Sequence, residues 1–287
     1  MNKKILVFTD LDGTLLDHYT YQTDAATDML AKLKSEDIAV IPNSSKTFSE
    51  ISLIREQLQL NSPFIIENGA AVYIPINYFN AQPEGTSVEG DYWVKSFCQP
   101  KAYWLALLSD QAEDFKAYYQ GFSEMTLEQL VALTGLSIEN AEMAKQRHYG
   151  EPLNWLGDEQ TQNAFTAHMI KLGANVLQGG RFLHISGHTD KGQAQAWLAK
   201  QYQGLAVSDT YLSQAKTTET DPKTVETIAL GDGKNDIAML EQATFAVQVR
   251  SPVHDFPELS RTENVYQSRQ FGPAGWTECL EEILSSK

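Results

Sequence analysis

Cysteine is scarce in this sequence: Cys98 and Cys279 are the only two among 287 residues. Two thiols so far apart make neither a disulfide framework nor a zinc knuckle, which points to a reducing compartment. Basic charge is scarce as well, with 22 Lys and Arg against 37 Asp and Glu and a formal net charge of -15. Neutralising a phosphate backbone needs a basic footprint, so nucleic acid is excluded as a partner. An anionic small molecule needs a local island of positive charge set against the global field. Long apolar runs are missing too. The apolar stretch after Lys3 and Lys4 ends at Phe8, before Thr9 and Asp10. That is too short for a signal peptide, and no run reaches membrane-spanning length. A cytoplasmic protein with no membrane partner is expected. Low-complexity tracts and repeats of solenoid period are also absent.

What is there begins with length, since 287 residues exceed one comfortable core and suggest two domains or one domain with a large insertion. Ile5–Phe8 reads as a buried strand. "DAATDMLAKLKSE" places Ala26, Leu30 and Leu33 at helical spacing, and "IAVIPNSS" is a second strand. "TFSEISLIREQLQL" is a helix with Phe48, Ile51, Ile54 and Leu58 on one face, opened by a capping box of Thr47 and Glu50. "FIIENGA" is a third strand ending in a turn. Strand–helix–strand alternation with short links predicts a parallel, doubly wound sheet. From about Ala81 the pattern breaks into a polar connector and an aromatic-rich region, in which "NVLQGGRFLHIS" reads as a hairpin at Gly179–Gly180. The first pattern then returns: a helix capped by Asp190 with Gln193 three positions on, the strand "TIALGDG", the helix "NDIAMLEQA" and the strand "FAVQV". The expected organisation is an α/β core of residues 1–82 and 189–287, interrupted by an α+β module at 83–188. "SQAKTTETDPKT" reads as a surface loop, and the loop at 208–224 has no functional account.

In an open α/β sheet, ligands bind beyond the carboxyl ends of the strands. Each core strand here ends in reactive residues. The first ends in Asp10 and Asp12, the second in Ser44, Ser45 and Lys46, and the third in Glu67, Asn68 and Gly69. "TIALGDGKND" delivers Asp232, Asn235 and Asp236, and Lys191 opens a helix. Two carboxylates about 4–5 Å apart repel by roughly 3–4 kcal/mol at an effective dielectric of about 20, so something must offset the pairing of Asp10 with Asp12. A hard divalent cation does so, and Mg²⁺ takes a few carboxylate or carbonyl oxygens while leaving room for a phosphate. Asp10 and Asp232 can supply carboxylates, and a backbone carbonyl near Asp12 lies within chain reach. Lys46, Lys191, the amides around Gly13 and the helix start after Ser44–Ser45 can hold the phosphate. Beside a metal, an aspartate stays ionised and can act as a nucleophile, while a second carboxyl works as acid and base. "GDGK" lacks the spacing of a P-loop, and His184 and His188, with Gly187 between them in a strand-to-loop segment, do not read as a zinc site.

"DLDGT" after a strand, a serine after the second strand, a lysine opening a helix, and "GDGKND" together resemble the four motifs of the haloacid dehalogenase (HAD) superfamily. The insertion between the second and third motifs resembles the type IIB cap. "SSKT", "IENGA", "TGLSIENAEMAKQR", "QGGRFLHI" and the terminal "GPAGW" are similar to the mannosyl-3-phosphoglycerate phosphatase family. The resemblance implies a Rossmann-like core with a cap and a Mg²⁺-dependent phosphatase of a small phosphorylated sugar. Asp10 is then the nucleophile that forms an aspartyl-phosphate, Asp12 the acid/base, Ser44 a phosphoryl contact and Lys191 the charge neutraliser. Asp10, Asp12 through its backbone, and Asp232 hold the metal, with Asn235 and Asp236 in support. Ser45, Lys46, Asn68, Gly69, Gly179, Gly180 and Arg181 line the substrate, with the Arg181 fork on the glycerate carboxylate. "RHYGEP" departs from the family where His148 and Gly150 stand. The substrate implied is mannosyl-3-phosphoglycerate, giving the compatible solute mannosylglycerate. Glucosyl-3-phosphoglycerate, sucrose phosphate and a non-catalytic binding protein of the same fold stay as alternatives.

Overall fold

A computed structural model describes residues 3–179, 181–212 and 224–286. In chain order the elements are β1 (Lys3–Thr9), α1 (Thr27–Ser35), β2 (Ala39–Pro42), α2 (Phe48–Gln57), β3 (Phe64–Ile66), β4 (Ala71–Pro75), β5 (Ser87–Glu89) and β6 (Tyr92–Ser96). There follow α3 (Lys101–Gln111), β7 (Tyr119–Gly121), α4 (Leu127–Thr134), α5 (Ile138–Lys145), β8 (Glu151–Trp155), α6 (Glu159–Lys171), β9 (Asn175–Gly179) and β10 (Phe182–Ser186). The last are α7 (Lys191–Gly204), β11 (Thr224–Gly231), α8 (Ile237–Gln242), β12 (Phe245–Arg250), β13 (Val265–Phe271) and α9 (Gly272–Ser285). Two compact units result. The first comprises residues 1–45, 58–95 and 190–287, and the second 46–57 and 96–189.

The first unit is built on a parallel sheet of order β13-β12-β11-β1-β2. Leu6, Val7 and Phe8 are fully buried between sheet and helices, which is why β1 reads as a continuous apolar run. Helix α7 packs on α8 and α9 on α1, so helices flank the sheet. The chain runs outward from β1 to β2 on one side and later to β11, β12 and β13 on the other. The end of β1 is therefore the switch point at which such sheets bind ligands.

"FIIENGA" does not add a strand to this sheet. Glu67, Asn68 and Gly69 all take positive φ and reverse the chain, so that β3 pairs antiparallel with β4, Phe64 opposite Tyr73. These strands belong to a second sheet of order β3-β4-β6-β5, joined to the first by a parallel bridge between Asn43 and Ile65.

In the second unit, antiparallel strands in the order β7-β8-β10-β9 form the sheet, and β9–β10 is the expected hairpin, Phe182 opposite Gly179. Gly180 lies outside the described residues. Trp104, Leu108, Leu153, Phe165, Met169 and Ile185 form a core between this sheet and helices α3 and α6. The second unit ends at 189, one residue beyond the expected 188, but it begins at 96 instead of 83 and also takes in residues 46–57. Residues 83–95 fall in the first unit because β6 joins β4 in its sheet. Helix α2 groups with the second unit because Thr47 Oγ1 donates to Met143 O (3.0 Å), Ser49 Oγ to Gln146 Oε1 (2.6 Å), and the Phe48 ring stacks on His148. Among the described residues no helix is long and apolar enough to cross a membrane.

Candidate active site

The site grows from the carboxyl end of β1. Asp10 N–H continues the ladder to Leu230 O (2.9 Å), which fixes the first acidic residue beside the end of β11. Its carbonyl accepts from Thr9 Oγ1 (2.6 Å), and that oxygen accepts in turn from the buried indole Nε1 of Trp276 (3.0 Å). The tryptophan of the terminal "GPAGW" is thus a brace beneath Asp10. After Asp10 the chain folds tightly, with Thr14 and Leu16 N–H both donating to Leu11 O. Asp12 sits half-buried in this turn.

Asp10, Asp232 and Asp236 are all buried, and each presents a carboxylate oxygen within 4.8 Å of the others. Lys191, with no exposed surface, donates from Nζ to Asp10 Oδ1 and to Asp236 Oδ1, each at 2.6 Å. Burial opposes the ammonium's charge, but the two carboxylates more than offset it and hold Lys191 above the ordinary lysine range. Burial pushes Asp236 above the usual carboxylate range, against the pull of Lys191 and the bond that its Oδ2 accepts from Gly233 N–H (2.8 Å). Burial and the charge of Asp10 raise Asp232.

One ammonium among three carboxylates leaves a surplus of two negative charges when all are ionised. The donors are carboxylate oxygens, the hard ligands that suit Mg²⁺. The space is also shaped for an open approach. A Cβ built on Gly13, whose φ is 76°, falls 2.6 Å from Asp232 Oδ2. Any larger residue at 13 would close over that oxygen. Donor type, surplus charge and cradle all fit a divalent cation.

The other expected residues divide by unit. Ser44 is buried at the end of β2, its N–H donating to Ile65 O (3.2 Å) and its carbonyl accepting from Asn68 N–H (2.9 Å). Ser45 follows it, half-buried. Asn235 Nδ2 donates to Asn68 Oδ1 (3.2 Å), and Gly69 abuts the start of α7. All of these lie in the first unit with the carboxylates. Lys46, Gly179 and Arg181 belong to the second. There Lys46 Nζ lies 3.8 Å from Glu50 Oε1, and the exposed Arg181 donates from Nη2 to Thr134 O (3.2 Å) at the end of α4.

One neighbour escaped the sequence reading. His254 Nε2 stands 3.4 Å from Asp232 Oδ2, on the loop after β12. "SPVHDFPEL" carries no local motif. The usable signal was topological: β12 lies beside β11, so the loop that leaves its carboxyl end meets the same edge of the sheet.

The chain matches the haloacid dehalogenase-like hydrolases over residues 7–84. It is 34% identical over 286 residues to a glucosyl-3-phosphoglycerate/mannosyl-3-phosphoglycerate phosphatase from Methanococcoides burtonii, covering 98% of this chain and 97% of that one. A relative of the same name from Persephonella marina is 31% identical, again over 98% and 97%. A solved sugar phosphatase of HAD subclass IIB shares the fold at a TM-score of 0.59 and 14% identity, covering 98% of this chain and 99% of that one. With acidic residues and a buried lysine gathered at the switch point, and with relatives aligned from end to end, the chain belongs to the haloacid dehalogenase superfamily, in the family of these two relatives, and is a phosphoric monoester hydrolase.

Proposed function

We propose that the protein removes phosphate from a phosphorylated sugar-glycerate, mannosyl-3-phosphoglycerate or its glucosyl epimer. The observation that carries this reading is the similarity, 34% and 31% identity over 98% of this chain, to two phosphatases whose names join both substrates. A hydroxyl epimer differs by few contacts, so one site can serve both.

Asp10 is the nucleophile. Its carboxylate oxygen attacks phosphorus, the bond from phosphorus to the ester oxygen breaks, and Asp12 gives a proton to the departing sugar-glycerate hydroxyl. Asp12 then takes a proton from water, whose oxygen attacks the phosphoryl group. The bond to Asp10 breaks, phosphate leaves, and both carboxyls return to their first states. Lys191, held 2.6 Å from Asp10, orients the nucleophile and faces the phosphoryl charge. Ser44 contacts a phosphoryl oxygen. Mg²⁺ on Asp10, Asp232 and the Asp12 backbone, when bound, neutralises charge on the transferring group. Asp236 and Asn235 support that set. The second unit serves as cap, with Arg181 offering its fork to the glycerate carboxylate.

Purified protein with Mg²⁺ should release phosphate from both sugar-glycerates with a higher kcat/KM than from sucrose phosphate or an aryl phosphate. Asp10→Asn should lower release from every one of them by at least about a thousandfold. Equal rates for wild type and D10N would remove Asp10 from the nucleophile role. A panel ranking sucrose phosphate first would replace the substrate.

A further inference from the structure

Three consecutive residues of the first unit, Glu67, Asn68 and Gly69, hold φ of 47°, 58° and 89°. Two of them are not glycine, and a left-handed run of this kind survives only where its surroundings hold it in place. The turn touches three of the segments that gather around the carboxylates: the end of β2, the start of α7 and the residues just before α8. Asn68 N–H donates to Ser44 O (2.9 Å), which ties it to the end of β2. Asn68 Oδ1 accepts from Asn235 Nδ2 (3.2 Å), one residue before the buried Asp236. Gly69 lies against the start of α7 so closely that a Cβ there would sit 2.1 Å from Asp190 O and 3.0 Å from Lys191 N. Beside it, Asn43 Nδ2 donates to Lys191 O (3.0 Å). The turn is thus the common backstop of Ser44, Lys191 and the Asn235–Asp236 segment.

We propose that the Glu67–Gly69 turn is the positioning device of the site: Asn68 holds the Asn235–Asp236 segment and Gly69 sets the height of Lys191, so both act through their neighbours and not on the substrate. This inference rests on the phosphatase reading for its kinetics but not for its metal binding. Asn68 is the sharper test, because its amide oxygen is the acceptor that keeps Asn235 in place. Asn68→Gly keeps the left-handed backbone and removes the acceptor, whereas Asn68→Asp keeps both.

The measurement is direct binding of Mn²⁺, a paramagnetic stand-in for Mg²⁺, by electron paramagnetic resonance of the whole protein, together with kcat and KM for p-nitrophenyl phosphate at saturating Mg²⁺. N68G should raise the Mn²⁺ Kd about tenfold or more, as loss of a supporting hydrogen bond does at metal sites, while KM stays within about twofold. N68D should restore the Kd. A contact between Asn68 and substrate gives the opposite pattern: KM rises in N68G at saturating metal, rises further in N68D through repulsion of the phosphate, and the Kd is untouched. That pattern, or no change in either quantity, overturns the proposal. Gly69→Ala adds a second arm, with kcat falling by at least about a hundredfold and Mn²⁺ binding changed less than in N68G. If G69A does not fold, the two Asn68 variants still decide. If wild type binds Mn²⁺ but hydrolyses none of the esters, the phosphatase reading fails while the binding arm still tests the turn.

Discussion

Two groups of the second unit, the buried Glu151 and the half-buried His184, are shifted in opposite directions. Glu151 on β8 is pushed upward by burial, against the bonds it accepts from Ser123 N–H (2.7 Å) and Oγ (2.8 Å). His184 on β10 is pushed down to about 4 by burial and by the Arg147 guanidinium. Between the ordinary histidine value of about 6.5 and that lowered value, the unfolded chain binds the proton that the fold refuses. Stability carried by neutral His184 is therefore complete above about pH 6.5 and lost as pH falls toward 4, on the order of 3 kcal/mol in all. Urea unfolding of wild type and His184→Gln at pH 7 and pH 4.5 should show wild type losing more between the two. Because Glu151 is present in both proteins, the difference isolates the histidine, and parallel losses would mean that His184 is solvated. At this scale the carboxylates were legible, since Asp10 and Asp232 each follow an apolar strand and Asp236 opens the helix after the second of them. His254 was not, because nothing within ten residues of it distinguishes a loop that meets Asp232 from one that meets water.

At the scale of elements, capping chemistry decides where several helices start and stop. The Thr47–Glu50 box forms as read, with Thr47 N–H and Oγ1 both donating to Glu50 Oε2 at 2.8 Å. Asp190 Oδ1 accepts from Gln193 N–H (2.8 Å) at the start of α7. The stop of α8 is less ordinary. Arg261 reaches back from the loop after β12 so that Nη1 donates to Leu240 O and Ala243 O, and Nη2 to Thr244 O (3.1 Å). Nε and Nη2 also donate to Glu263 O. A planar fork with five donors satisfies the orphan carbonyls of the helix end in a way that a lysine cannot. Arg261→Ala should cost about 2 kcal/mol and lower Tm by roughly 4–8 °C, with Arg261→Lys recovering less than half. An unchanged Tm would mean that water replaces the fork at no cost. Local periodicity revealed β1, β2, β11, β12, α1 and α2, whose signals lie within a dozen residues. It also found β3 and the turn that ends it, but not the antiparallel pairing with β4, which is set by the left-handed turn at 67–69 and not by the apolar run.

For the whole molecule the governing quantity is charge. A formal -15 repels any dianionic or trianionic ligand such as the proposed sugar-glycerate phosphate, and local groups such as Lys191 oppose that field. Raising KCl from about 20 to about 200 mM shortens the Debye length from roughly 20 to roughly 7 Å, so kcat/KM for the sugar-glycerate should rise about twofold or more. A fall would show that a positive island, and not the global field, commands encounter. The core-and-insert plan was legible from the return of strand–helix alternation near residue 190. The allegiance of residues 46–57 was not, because the partners of α2 arrive 96 or more residues later on α5 and the segment that follows it. As a result the backbone passes between the two compact units at four places, near 45, 57, 95 and 189, instead of two. Lineages that trade substrate preferences by exchanging one continuous stretch of gene meet an obstacle here. Transplanting 96–189 alone strands α2 with foreign neighbours, so a working chimera must carry its native helix along from the far side of β3.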